Sequence, residues 1–169
     1  PGNNFIGLFS NIGSGGKISN LGVKNVNITG RDYVGGLVGS GEDLGLITSC
    51  YATGAVSGNY YVGGLVGESN NGTLTSCYAA CSVSGIAQVG GLAGWNKYYC
   101  TLTSCYATGS VNGTGNDVSG LVGISDGSIT SCFWDTDTSG QSTGVGSGDA
   151  TGVIGKTTVE MQMLSTFTN

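Results

Sequence analysis

The chain has 169 residues, 34 of them glycine and one proline, and carries five basic against ten acidic side chains for a formal net charge of −5. That balance speaks against nucleic acid or an anionic membrane as a partner. A 38% hydrophobic share arranged with a period excludes a disordered polymer, and no apolar run is long enough for a membrane-spanning helix.

The chain opens at Pro1 in mid-pattern, as expected of a mature or excised piece. "IGLF" (6–9) starts a unit that returns as "GGLVG" (35–39), "GGLVG" (63–67), "GGLAG" (90–94) and "SGLVG" (119–123). The leucines Leu8, Leu37, Leu65, Leu92 and Leu121 step by 29, 28, 27 and 29 residues. The second half of each unit carries Cys50, Cys77, Cys105 or Cys132 followed by an aromatic; "ITG", "VSG", "VSG" and "VNG" close the units. Short apolar stretches between Gly, Ser and Asn turns read as strands, and no helix-length amphipathic run interrupts them. The repeat predicts an all-β chain: a parallel β-solenoid of about five coils of 27–29 residues, stacked about 4.8 Å apart. A β-propeller is the rival, but its blades need ~40 residues.

Strand alternation puts Cys50, Ala52, Gly54 and Val56 on one face and Ser49, Tyr51 and Thr53 on the other. In coil 1, "ISNLGV" (18–23) aligns with "ITSCYA" (47–52), so Leu21 stands where Cys50 does. A position that accepts Leu or Cys is an inward one, and the periodic cysteines read as buried, free thiols. Cys81 and Cys100 lie off that column and could bond each other. With no histidine in the chain, a Cys nucleophile lacks its base, and no CxxC pair suggests zinc.

Residues 1–134 thus form the solenoid, and 135–169 a Gly/Ser/Thr-rich C-terminal extension. Within it, Asp135 and Asp137 of "DTDTSG" match the start of a calcium loop, a weak candidate because the required position-12 acid falls on Gly146. "ATGVIGKT" (150–157) fits a loose phosphate-loop pattern but lacks a buried strand before it. Thr157 and Glu160 make a capping box that opens a short helix over 159–164, whose Met161, Met163 and Leu164 would cover the last coil.

"VGGLVG" followed by "LTSCYATGSVNG" resembles the GLUG-motif repeats, strongly over residues 34–132 and more loosely in coil 1. The resemblance implies an extracellular or cell-surface setting, in adhesin-like bacterial or archaeal proteins, and a non-catalytic module without a cofactor. The partners it suggests are surface glycans or proteins, or copies of the chain itself; no membrane insertion is expected.

The candidate contact surface is the outward column Tyr51, Tyr78, Tyr106 and Phe133. These rings either stack on sugars or another protein, or stack on each other beneath a loop or the tail. A second column, Thr48, Thr75, Thr103 and Thr130 with Ser19, suggests ordered water or ice. Alternation places it on the Cys/Ala side, with no matching partner column. The acids Asp32, Glu42, Asp43, Glu68, Asp117 and Asp126 look scattered, so no glycosidase pair and no catalytic residue is assigned. The expectation is a structural or adhesive repeat protein, with a self-assembling filament subunit or a carbohydrate-binding module of a larger enzyme as alternatives.

Overall fold

The computed structural model describes residues 3–41, 43 and 45–167; Glu42 lies outside them. The chain winds as a parallel β-solenoid. Coil 1 holds β1 (Phe9–Asn11), β2 (Lys17–Ser19) and β3 (Gly22–Thr29), and Ile6 bridges to Val34 in place of a fourth strand. Coil 2 holds β4 (Asp32–Gly35), β5 (Val38–Gly41), β6 (Leu46–Thr48) and β7 (Tyr51–Ser57). Coil 3 repeats this as β8 (Tyr60–Gly63), β9 (Val66–Asn70), β10 (Thr73–Thr75) and β11 (Tyr78–Gly85). Coil 4 has β12 (Ala87–Gly90), β13 (Ala93–Lys97), β14 (Thr101–Thr103) and the split pair β15 (Tyr106–Ala107) and β16 (Val111–Gly113). Coil 5 has β17 (Val118–Ser119), β18 (Val122–Ser125), β19 (Ser128–Thr130) and β20 (Cys132–Asp135).

Four sheets run along the rod, in the orders β4-β8-β12-β17, β1-β5-β9-β13-β18, β2-β6-β10-β14-β19 and β3-β7-β11-β15-β20, with β16 also on β11. Every pairing is parallel and the motif positions stay in register: Val38 with Val66, Ile47 with Leu74, Tyr78 with Tyr106. The expected five coils are present: coils 2 and 3 are unbroken four-strand turns, coil 1 has three strands, coil 4 has its last strand split, and coil 5 is closed by short strands.

The inward columns form one continuous core. In coil 2 these are Val34, Leu37, Val38, Ile47, Cys50, Ala52 and Val56, all essentially without solvent exposure. Each buried Leu or Val contributes about 1.5–3 kcal/mol. The "VGGLV" segment is therefore inward at Val, Leu and the following Val alike. This is possible because the paired glycines let rungs close up: a Cβ on Gly64 would run into the Gly91 carbonyl of the next coil.

The ends differ from the middle. Leu8 aligns with Leu37 through the Phe9–Val38 register, but among the described residues no coil lies over it and it is 55% exposed. At the other end, the inward alanine column Ala52–Ala79–Ala107 finishes in Trp134. The indole lies against Gly120, Gly144 and Gly155, where no side chain would fit, and plugs the core.

The tail contributes strands as well as a cover. β21 (Val145–Gly148) adds to β18, and β22 (Val153–Lys156) adds to β20, making a partial sixth rung on two faces. Two one-turn helices, α1 (Thr136–Ser139) and α2 (Thr158–Met161), flank them. The Thr157–Glu160 capping box is formed. The helix stops earlier than the sequence pattern suggests. Only Met161 is buried, while Leu164 is 79% exposed, because Trp134 and the extra strands already occupy the end of the core.

Candidate functional site

The Tyr51–Tyr78–Tyr106 column forms on the outside of the β7-β11-β15 sheet. Its rings lie 4.8 and 4.9 Å apart and are tilted by only 4°. At that spacing the ring faces are spent on one another, so the column offers edges and hydroxyls, with no open platform between rungs. Gly22 leaves room for the outer face of the Tyr51 ring. At the other end Phe167 of the tail inserts, 5.5 Å from Tyr106 and 5.6 Å edge-on to Phe133. The four aromatics are half-buried. Burial, then the neighbouring Tyr78, raises the Tyr106 phenol pKa.

The Thr column lies elsewhere than alternation suggests. Thr48, Thr75, Thr103 and Thr130 flank the inward Ile47, Leu74, Leu102 and Ile129 and point outward. The reason is local. Ser49, Ser76, Ser104 and Ser131 have φ of 52°, 53°, 52° and 51°, and one left-handed residue per corner resets the two-residue phase between Thr and Cys. A matching column does exist: Thr73, Thr101 and Ser128 sit in register on the same face.

Asp135 and Asp137 act as tethers. Asp135 is buried and caps α1 by accepting from the Asp137 and Thr138 amides at 2.9 and 3.1 Å, and it accepts the Thr158 hydroxyl at 2.8 Å. Asp137 accepts the Thr158 amide at 3.0 Å. Both carboxylates are thus committed to holding α1 and α2 together. The phosphate-loop-like stretch is no loop, since Val153–Lys156 is strand β22 and Lys156 pairs with Glu160 at 3.6 Å. All six thiols are free and buried, Cys81 and Cys100 included. Cys100 contacts the Ser69 hydroxyl at 2.7 Å, and Cys81 points at the Gly64 carbonyl at 3.5 Å.

A second aromatic ladder was hidden in the sequence. Phe5, Tyr33 and Tyr61 stack at 4.8 Å, and Trp95 continues the stack at 5.2 Å. The three are 28 residues apart, each just before the Ile/Val-Gly of its unit. That signal was available, but Gln88 and Asp117 interrupt it. All five residues have φ near 57° (54–61°), the turn that aims them outward at the edge of the β4-β8-β12 sheet.

Beside this ladder two carboxylates that sequence spacing leaves apart line one cleft. Phe5, Tyr33, Asp43, Glu68, Asn70 and Lys97 line a cleft of about 380 Å³. Glu68 is 7% exposed; Ser40 donates to its Oε2 at 3.0 Å and Lys97 Nζ to its Oε1 at 3.2 Å. Lys97 also lies 4.4 Å from the Trp95 ring centre. Burial would lower the Lys97 pKa, but the hydrogen bond and charge of Glu68 outweigh it and the net shift is upward. Burial, then Glu68, raises the Tyr33 phenol. Asp43 accepts from Asn71 at 2.9 Å. Of the other acids, Asp126 accepts from the Trp95 indole at 2.9 Å, Asp117 from Gln88 at 3.2 Å, and Asp32 pairs with Arg31 at 3.4 Å. Among the described residues, no group of three or more His, Cys, Asp or Glu is arranged to hold a metal. No helix among them is long and apolar enough to cross a membrane.

The GLUG motif matches residues 30–57, 58–85 and 85–112, which are coils 2, 3 and 4. No curated protein and no solved structure matches the chain. With the motif in three successive coils of a parallel β-solenoid, this chain carries GLUG repeats.

Proposed function

We propose that this repeat protein is a non-catalytic adhesive module of a secreted or cell-surface protein, working as a rod that presents side chains at one-rung intervals. The observation that carries this reading is the register kept by the outward groups through coils 2, 3 and 4. Tyr78 pairs with Tyr51 and Tyr106, and Thr75 pairs with Thr48 and Thr103, so each outward group recurs once per coil. Weak contacts repeated along a rigid frame add by avidity. The absence of histidine and the burial of every thiol support a passive role, and buried thiols also suit an oxidising exterior.

Beads coated with the chain at graded density, passed over cell layers and polysaccharide films, test the reading. Adhesion that rises steeply with density is expected. Beads that fail to adhere at any density would sink it, as would release of sugars from any film.

A second reading is end-to-end assembly. It is favoured by coil 1, whose β1, β2 and β3 are largely exposed and carry no strand on their outer edges among the described residues.

A further inference from the structure

We propose that the cleft beside the Phe5–Tyr33 ladder, together with the hollow that adjoins it at Asp43, binds a neutral oligosaccharide chain. This rests on the adhesive reading and names the class of ligand.

The site is built rather than incidental. Glu68 is buried at the floor and held by Ser40 and Lys97, one donor per oxygen, so each oxygen keeps a lone pair for a ligand hydroxyl. The Asn70 side-chain oxygen in the same cleft is buried and accepts no hydrogen bond from the described residues. Such an unmet acceptor is costly and asks for a donor. A sugar hydroxyl is a donor and an acceptor at once, and fits both groups.

The aromatics set where a ring can lie. Inside the ladder every face is taken, but Phe5 ends the stack and is 39% exposed. Asp43 also lines a second hollow of about 440 Å³, whose far wall is Tyr99. Tyr99 is 89% exposed and stacks on no other ring among the described residues. An apolar ring left in water at the lip of a polar groove is the arrangement that receives the C–H face of a pyranose. Two aromatic ends with a polar floor between them suit a chain better than a single sugar.

Charge narrows the class. Asp43 and Glu68 against one lysine leave the groove net negative, and the whole chain is acidic at −5. Polyuronates and sulfated glycans are therefore disfavoured.

The experiment is an array of neutral gluco-, manno-, xylo- and galacto-oligosaccharides with a polyuronate series, probed with the intact chain and with Tyr99→Ala and Glu68→Gln. Tyr99 is on the surface, so its variant keeps the fold. Binding to at least one neutral series is expected, weakened by about tenfold or more in each variant, with no binding to polyuronate. An empty neutral array overturns the proposal, as does binding that neither variant weakens or that polyuronate matches. If coated beads adhere while the array stays empty, only the glycan assignment falls. If beads also fail, the adhesive reading falls with it.

Discussion

Cys81 shows how a single side chain is held by its rung. It occupies the place of Gly54 in coil 2, faces the core and finds only the Gly64 carbonyl. Burial pushes its thiol from the ordinary 9.0 up to about 11. Burial, the leading cause, also raises Cys50, Cys100 and Tyr33. An acid whose folded pKa lies above its unfolded one binds its proton more tightly when folded. Its contribution to stability is full below the unfolded value and is lost as pH climbs through the folded one. From these groups, denaturant midpoints should fall as pH climbs from about 9.0 toward 11. Thiol titration should find no reactive cysteine in the native chain and six in denaturant. A native chain that reacts quickly would show that the rungs open locally.

Two of the corners in each coil are set by different means, and substitution separates them. At the glycine corner the backbones of successive rungs touch. Gly64→Ala must push the Gly91 carbonyl away, and a loss of about 1–3 kcal/mol is expected from chemical denaturation. At the serine corner space is plentiful and geometry decides. Thr103 beside it forms no side-chain hydrogen bond among the described residues, so Thr103→Val should stay within about 0.5 kcal/mol of the parent. A large loss there would mean that the outward threonines bond along the column. Within a strand, alternation reads correctly from the sequence: Cys50, Ala52 and Val56 are inward and Tyr51 outward. It fails across Ser49, because a left-handed residue leaves no mark in a hydrophobic pattern.

The rod as a whole is finished differently at its two ends. Among the described residues no strand covers the outer edges of coil 1, whereas at the other end the tail lays β21 and β22 over two of four faces and Trp134 closes the core. Removing residues 136–169 would strip both strands and the Phe167 wedge, leaving β18 and β20 as open edges. The truncated chain should show concentration-dependent association in sedimentation, where the intact chain gives short single rods by electron microscopy. Filaments of the intact chain would instead favour end-to-end assembly. A truncated chain that stays monomeric would mean that those edges do not recruit partners.

Periodicity alone determined the coil, its 27–29 residue length, the parallel stack, the buried cysteines and the Tyr51–Tyr106 column, because a solenoid turns each sequence period into one spatial contact. The meeting of Asp43, Glu68, Asn70 and Lys97 in one cleft was not legible there. These residues differ in type, and although Asn70 and Lys97 stand at the same position of successive units, Glu68 and Asp43 do not, so they make no repeat. They converge because the β5, β9 and β13 rungs stack in register. Tertiary structure decided as well that the aromatic faces are spent on one another and that Trp134 plugs the end of the core. Both depend on which residues have a neighbouring coil and which stand last in their column.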